Sequence, residues 1–356
     1  MSLLVLSADD VATLTGALSA SAFCAMLGKT MSAVSSFKVG EGVPAIHNPL
    51  RIATESELHK NLYMPSRLTT SDGPATAIKV VGVPKPNCKI PGLPATTLLF
   101  DEDTGLTRAV VNAAELTGIR TAAASALATK ILADPSSTSV VVFGSGTQAY
   151  YHTRLILELF PSVSSATFVV RSITSRSSAL VERGRKEFAN VQVTVVTAEK
   201  VKEVVKKADI VCTCVPSTEP LFEEEDLKEN VHINAIGSYT PSMFEFPPSL
   251  ISPSFSAPSG PKIPTILVDS LQACTSESGE LIASGISPSS ILELGVLLDG
   301  DGEVKGDDET KGRLRELRRK GRSLFKCVGV GGMDVAITRL VVEEAEKRGV
   351  GTRVPF

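Results

Sequence analysis

No charge of either sign dominates this chain: 36 lysine and arginine residues stand against 39 acids, leaving a net charge of −3. No broad attraction to a polyanion is built in, which argues against nucleic acid as the main partner and in favour of small ligands. Paired cysteines are also missing. The six (Cys24, Cys88, Cys212, Cys214, Cys274 and Cys327) are scattered without CxxC spacing, which excludes the usual thiolate metal and redox motifs. Cys212 and Cys214, two apart in an apolar stretch, are expected to share one strand face as small buried residues. The four histidines, His47, His59, His152 and His232, show no metal-ligand spacing, so structural roles and no metal are expected. No run approaches the ~20 apolar residues of a membrane span, and the opening MSLLVLSADD has neither a basic n-region nor a long apolar h-region. A soluble, cytoplasmic protein with no membrane partner is the expectation. No internal repeat is visible.

What is present reads as an ordinary globular chain, with 43% apolar and 21% charged residues. Its 356 residues exceed the ~250 at which single cores stop growing, so two domains are expected. Residues 7–34 read as one helix, opened by Ser7 as cap and by acids suited to a helix start. Residues 40–115 change to short β-like runs split by Pro and Gly, an antiparallel region with a hairpin-type turn at DEDTG. The Ala- and Leu-rich segment 113–133 reads as a helix bridging two domains. Then strands near 139–144, 166–172, 191–196, 209–215, 232–237 and 265–269 alternate with helices, which implies right-handed crossovers and a doubly wound parallel sheet of the α/β class. The Pro/Ser stretch 246–264 and the polar stretch 299–312 are expected to lie outside the core. The basic run 312–322 reads as a solvated helical face, and 325–349 ends in an amphipathic helix expected to pack back onto the first domain.

The segment VVFGSGTQA places Gly144-Ser145-Gly146-Thr147-Gln148-Ala149 between a strand and a helix, which is the setting a G-x-G-x-x-A dinucleotide fingerprint needs. Gly144 allows the tight turn, Gly146 lets the backbone approach a pyrophosphate, and Ala149 is small enough for helix–strand contact. The helix N-terminus then offers N–H groups and partial positive charge. The bland alternative is a tight turn with no ligand. Where an NAD-specific protein shows an acid at the end of the next strand, this chain has Arg171, Ser172 and Arg176. Guanidinium groups pair well with a 2′-phosphate, so NADP(H) is expected ahead of NAD(H), unless these arginines are plain surface charges.

Three cations stand in apolar settings in the first part of the chain: Arg51 in NPLRIA, Lys79 in TAIKVV and Arg120 in LTGIRTAAA. A charge so placed must be paired or solvated, and a bound carboxylate would satisfy all three if they converge. Separate structural ion pairs are the alternative. The blocks LTGIRTAAASALATK, VVVFGSGTQAYYH, VCTCVPSTEPLF, HINAIGSYTPSMFEF and VDSLQACTSESGEL, with VLSADDV before them and FKCVGVGGMDVA after, resemble the ornithine cyclodeaminase/mu-crystallin family over nearly the whole chain.

The resemblance implies a Rossmann-type domain over 123–321. It also implies an α+β substrate-binding and dimerisation domain made of 1–122 and 322–356, and hence a homodimer. It carries the family's carboxylate-binding positions onto Arg51, Lys79 and Arg120, and its dinucleotide-lining positions onto Thr121, Val215, Pro216, Ile236, Gly237 and Ser238. Cyclodeaminases of the family have an acid shortly after the NA(I/V)G glycine, but here Gly237-Ser238 is followed by Tyr239, a candidate substrate contact, so ornithine cyclisation is not favoured.

The expected chemistry is hydride transfer at the α-carbon of an amino or imino acid, as in mu-crystallin-type ketimine reductases and archaeal-type alanine dehydrogenases. Arg51 and Arg120 would hold the carboxylate, while Lys79 would act as proton donor or as an anchor alone. A cyclodeaminase-type lyase and a non-catalytic NADPH-dependent binding protein are the alternatives. Asp334 either orients an active-site group or caps the last helix, and Asp269 either faces the cofactor or caps the helix that follows it.

Overall fold

The structure is a computed structural model that describes residues 2–36, 45–49, 51–85, 87–88, 92–251, 265–318 and 321–356. It opens with β1 (Ser2–Leu6), α1 (Ala8–Gly16) and α2 (Ala20–Ser35), followed by β2 (Ile46–His47), β3 (Ile52–Glu55), β4 (His59–Thr70) and β5 (Gly73–Pro84). Next come β6 (Ala95–Phe100), β7 (Thr107–Asn112), α3 (Leu116–Leu132), β8 (Ser139–Phe143), α4 (Thr147–Leu159), β9 (Ser165–Val170), α5 (Ser175–Glu187) and β10 (Gln192–Thr197). The chain continues through α6 (Val201–Val205), β11 (Ile210–Thr213), β12 (Val231–Ala235), β13 (Ile266–Val268), α7 (Leu271–Glu277) and α8 (Gly279–Ser284). It closes with β14 (Ile291–Glu293), α9 (Asp308–Leu317), β15 (Arg322–Lys326), α10 (Gly331–Arg348) and β16 (Thr352–Pro355).

The chain divides into two compact units, one of 1–120, 298–303 and 330–356, the other of 121–297 and 304–329. The expected boundary at 322 therefore falls too early. Arg322–Lys326 is a strand, and its Leu324 and Phe325 are buried between β12 and β13. The return to the first unit begins at Val330.

In the first unit an eight-stranded sheet runs β16-β1-β7-β6-β5-β4-β2, with β3 also on β4. Its pairings are antiparallel except β1 with β7. The period-2 pattern of β5 buries Ala75, Ala77, Lys79 and Val81 on one face, where α10 packs, and leaves Thr76, Ile78 and Val80 half-buried on the other. The single helix expected over 7–34 is two. Ser7 caps the first with a capping box through Asp10, Gly16 closes it, and Ser19 caps the second by accepting from Ala22 N–H. Sequence reasoning missed the terminal strands β1 and β16, although Ser7 caps α1 directly after β1, and Gly349 and Gly351, both at positive φ, separate α10 from β16.

The second unit is an eight-stranded sheet in the order β10-β9-β8-β11-β12-β15-β13-β14, parallel throughout. From β8 the chain steps outward to β9 and β10, then returns to the far side of β8 as β11. The order reverses there, and in such sheets ligands bind outside the carboxyl ends of the strands at that point. The core is continuous through β8, β11, β12 and β13 and includes Phe246, Leu250 and Ile251. The described part of the Pro/Ser stretch is thus inside the core, because its three large apolar residues bury fully; residues 252–264 lie outside the described residues.

The polar stretch 299–312 is likewise more than a connector. Its turn is drawn together by Asp299, whose carboxylate accepts from Asp301 and Glu303 N–H, and Gly302 lies against Gly28 in the middle of α2. A Cβ on Gly28 would stand 2.4 Å from the Gly302 carbonyl oxygen. Gly28→Ala should gain about 1 kcal/mol of helix propensity but lose roughly 1–3 kcal/mol to a backbone clash that no side-chain rotation relieves. A lower urea midpoint is expected, and a midpoint equal to or above that of the parent would show that the turn yields freely.

Candidate active site

In the first unit three distant segments meet in one buried ion cluster. Lys79 points to the helix-covered face of the sheet because it shares the parity of Ala75, Ala77 and Val81. Arg120 and Thr117, three residues apart, lie on one face of α3, whose residues 118–129 are all buried. Asp334 sits in the first turn of α10. The glycines ahead of it allow α10 to begin against β2 and β4: a Cβ on Gly331 would stand 2.4 Å from Asn48 Oδ1, and one on Gly332 2.7 Å from Ile46 Cδ1.

The Asp334 carboxylate joins the two cations. Lys79 Nζ lies 2.6 Å from its Oδ2, and Arg120 Nε donates to its Oδ1 at 3.2 Å. Lys79 Nζ also donates to Thr117 Oγ1 at 3.4 Å, and Arg120 Nη1 approaches the Met333 sulfur at 3.7 Å. Lys79, Arg120 and Asp334 are only 3%, 7% and 5% exposed. Of the two roles held open for Asp334, helix capping is excluded: the cap residue of α10 is Val330, and no side chain caps that helix.

Burial lowers the Lys79 pKa; Asp334 opposes the shift, while Arg120 and Arg51 reinforce it. Arg51, exposed at the start of β3, is thus close enough for its charge to act on Lys79. Burial alone would raise the Asp334 pKa, but the charges of Lys79 and Arg120 outweigh it and hold the carboxyl below its ordinary value. Two buried cations therefore share one carboxylate, and the cluster carries excess positive charge.

In the second unit the glycine turn stands at the carboxyl end of β8. Gly144 adopts φ +112°, and a Cβ there would stand 2.9 Å from Val215 Cγ1 and 3.3 Å from the Cys214 carbonyl. Only glycine fits. The cap of α4 is Gly146 itself, which makes no side-chain cap bond, and Ala149 is fully buried. Thr174 caps α5 by accepting from Ser177 N–H. That cap places the exposed Arg176 in the first turn of α5, with its Nη2 3.2 Å from where a Cβ on Gly146 would be. Arg171 and Ser172 are exposed after β9. A glycine cradle, a glycine-capped helix N-terminus and a guanidinium beside it suit the pyrophosphate and ribose phosphate of a dinucleotide.

Val215 is half-buried and Pro216 exposed after β11, and Thr121 is buried in α3. Gly237 packs against Val215: a Cβ would stand 2.2 Å from the Val215 carbonyl oxygen. Ile236 is buried, and Ser238 is turned inward, its hydroxyl bonded to Glu280 and Lys326. Tyr239 is 46% exposed. Sequence reasoning did not single out Glu245, Glu280 or Lys326, which lie behind this turn, although Lys326 in SLFKCV is a cation in an apolar strand, the same signal that marked Lys79.

Three further residues weighed in the sequence, His152, His232 and Asp269, are bonded within the protein. His152 bonds the Gln148 carbonyl and Ser125 Oγ, and His232 bonds Ser323 and Asn234; burial lowers both pKa values to about 4. Asp269 caps nothing, since Ser270 caps α7. It instead accepts from Val328 and Gly329 N–H and from the Cys274 and Cys327 thiols, tying the segment after β15 to the end of β13.

A model of the ornithine cyclodeaminase/mu-crystallin family matches residues 8–349. The chain belongs to that family. Among its relatives in the family, a Delta(1)-pyrroline-2-carboxylate reductase of Bacillus cereus is 29% identical over 340 residues, 91% of this chain and 93% of the relative. Ketimine reductase mu-crystallin of Mus musculus is 28% identical over 300 residues, 84% and 85% of the two chains. The solved structure of Thermococcus litoralis Delta(1)-pyrroline-2-carboxylate reductase, in complex with NADH and L-proline, is similar at a TM-score of 0.79 and 26% identity, covering 99% of this chain and 100% of that one. The α/β class with a Rossmann-type parallel sheet expected from the sequence is the fold this family member has.

Replacing Asp334 by asparagine keeps the shape of the ion cluster but strands two buried cations, a loss of about 3–5 kcal/mol by the usual cost of breaking a buried pair. Chemical denaturation of Asp334→Asn measures it. A change below about 0.5 kcal/mol, typical of surface substitutions, would mean that the cluster does not depend on this carboxylate.

Proposed function

We propose that this chain is an NAD(P)H-dependent imino acid reductase, which reduces the C=N bond of a cyclic or linear ketimine acid to the amine or runs the reverse oxidation. The observation that carries this reading is the buried ion cluster, in which Lys79 and Arg120 share the single Asp334 carboxylate. An α-imino or α-amino carboxylate brings the negative charge that such a site lacks. The activity for which the Bacillus and Thermococcus relatives are named makes Delta(1)-pyrroline-2-carboxylate the first substrate to try.

In this mechanism Arg120, with Arg51, holds the substrate carboxylate by charge-assisted hydrogen bonds and so fixes the position of the C=N group. Asp334 anchors Lys79. A lysine with a lowered pKa gives up its proton more readily, so Lys79 serves as the donor to the imine nitrogen and is reprotonated from water after turnover. NAD(P)H, when bound, supplies the hydride equivalent for the imine carbon. The residues that would hold it are the Gly144–Ala149 turn, Thr121, Val215, Pro216 and the Ile236–Ser238 turn, with Tyr239 at the substrate. Arg171, Ser172 and Arg176 stand where an acid would select NAD, and we infer from them that NADP(H) is preferred.

We infer a homodimer from the face of the first sheet opposite α10, on which no described helix packs. Pro65, Ile78, Leu98 and Val110 are direct cross-strand neighbours, half-buried and apolar, in one row across four strands. Leu98→Glu should shift the protein from dimer to monomer in sedimentation velocity.

Three activity measurements test the reading. The parent should oxidise NADPH with Delta(1)-pyrroline-2-carboxylate, and Arg120→Ala should lower kcat/KM at least 100-fold while leaving NADPH affinity within about threefold. Arg176→Ala should weaken NADPH about tenfold and NADH little, as expected from the loss of one charge-assisted phosphate contact. Release of ammonia from ornithine without net NADPH consumption would replace the reductase by a lyase, and NADPH binding without turnover of any imino acid would leave a binding protein.

A further inference from the structure

Behind the turn that follows β12 lies a charged cluster that the mechanism above does not use. Glu245, Glu280 and Lys326 are each completely buried. Glu245 Oε2 accepts the N–H groups of Gly237 and Ser238 at 2.7 and 3.0 Å. Lys326 Nζ donates to the Ser238 carbonyl and hydroxyl at 2.7 and 2.6 Å and lies 3.6 Å from Glu245 Oε2. Glu280 accepts from Ser238 Oγ and Ser278 Oγ through Oε2 and from the Glu245 N–H through Oε1.

Turns at the carboxyl edge of a sheet usually leave their polar groups to solvent or ligand. In this turn both N–H groups, one carbonyl and one hydroxyl are bonded inward to ions. Burying three charges is costly before pairing repays it, and a well-packed apolar replacement would often be at least as stable. What the ions add is direction. A Cβ on Gly237 would stand 2.2 Å from the Val215 carbonyl oxygen and 2.5 Å from Glu245 Oε1, so the turn is held between Val215 and Glu245. Val215 in turn abuts Gly144. The ions, the 236–238 turn, Val215 and the glycine turn therefore form one packed row across the carboxyl ends of β15, β12, β11 and β8. In a doubly wound sheet the half holding the glycine turn takes the adenosine side, which leaves β11 and β12 to the nicotinamide side.

We propose that Glu245 and Lys326 are positioning residues for the dinucleotide, fixing the Ile236–Ser238 turn and Val215 in the shape that receives the nicotinamide half. This rests on the reading above that the second unit binds NAD(P)H. The charged and titratable groups facing Glu245 are Lys326 from β15, Glu280 from α8 and Cys214 after β11, with the Thr213 hydroxyl beside them. Burial raises the Glu245 pKa to about 7, against the pull of Lys326. Below neutrality its carboxylate takes up a proton, and its hold on the two N–H groups weakens.

The test is NADH affinity of the full chain, by fluorescence titration between pH 6 and 8, for the parent, Glu245→Gln and Lys326→Met. In the parent the Kd should rise severalfold as the pH falls through 7. Glu245→Gln, which keeps the volume, should show a Kd raised about tenfold at pH 8 and a flat profile, with the imino acid KM at saturating cofactor within twofold of the parent. Lys326→Met should bind NADH at least tenfold more weakly. A Glu245→Gln protein with the parent's Kd and pH slope overturns the proposal, and should that variant not fold, a flat parent profile overturns it alone. A parent that binds neither NADH nor NADPH at any pH overturns the dinucleotide reading itself, a different result from binding that ignores Glu245.

Discussion

The first unit depends on one carboxylate. Asp334 accepts from a strand lysine and a helix arginine separated from it by more than 200 residues of sequence, and all three side chains are almost fully withdrawn from water. Lysine and arginine at such depth are tolerated only with a partner. The period-2 parity of β5 forces Lys79 inward, α3 brings Arg120 to the same place, and the bare backbone of Gly331 and Gly332 lets the start of α10 close over both. Removing any of these conditions leaves a buried ion unmatched. Local geometry that would otherwise look unrelated, two glycines and an alternating strand, is tied together by that electrostatic constraint.

The second unit solves a comparable problem by different means. Its sheet is parallel, so the carboxyl ends of its central strands present a row of loops. Three of these loops, after β8, β11 and β12, approach so closely that glycine is obligatory at 144 and at 237, each against Val215. Close approach of backbone fixes one side of the row; on the other side, Asp269 collects five donors, from Ser270 after β13, from α7 and from the segment after β15, while Lys326 and Glu245 grip the turn after β12. The edge is rigid because its polar groups are bonded inward, not because it is apolar.

Much of this was legible in the residues. The alternation of strands and helices after 139 follows from runs such as VVVF and VQVTVV, and the glycine turn was recognisable from its place between strand and helix. Lys79 and Arg120 stood out as cations among apolar neighbours, and their convergence is what the structure adds. Less legible were features set by long-range contact. Asp334 sits in a helix start, where an acid looks like a cap; only packing against β5 shows it as a counter-ion. The division of 7–34 into two helices rests on a single serine cap at Ser19. Phe246, Leu250 and Ile251 are hidden among prolines that locally signal a loop, and β15 is a strand because β12 and β13 flank it.

The discontinuity of the first unit has a consequence for synthesis. On the ribosome Lys79 and Arg120 emerge early, while their counter-ion arrives with residues 330–356, after the parallel sheet has been completed. Until then the first sheet also lacks α10 as its cover. A nascent chain interrupted at any point before Asp334 holds two cations that can only remain hydrated, so that segment stays open and visible to chaperones and proteases. Quality control of this kind is intrinsic to the order in which the residues appear.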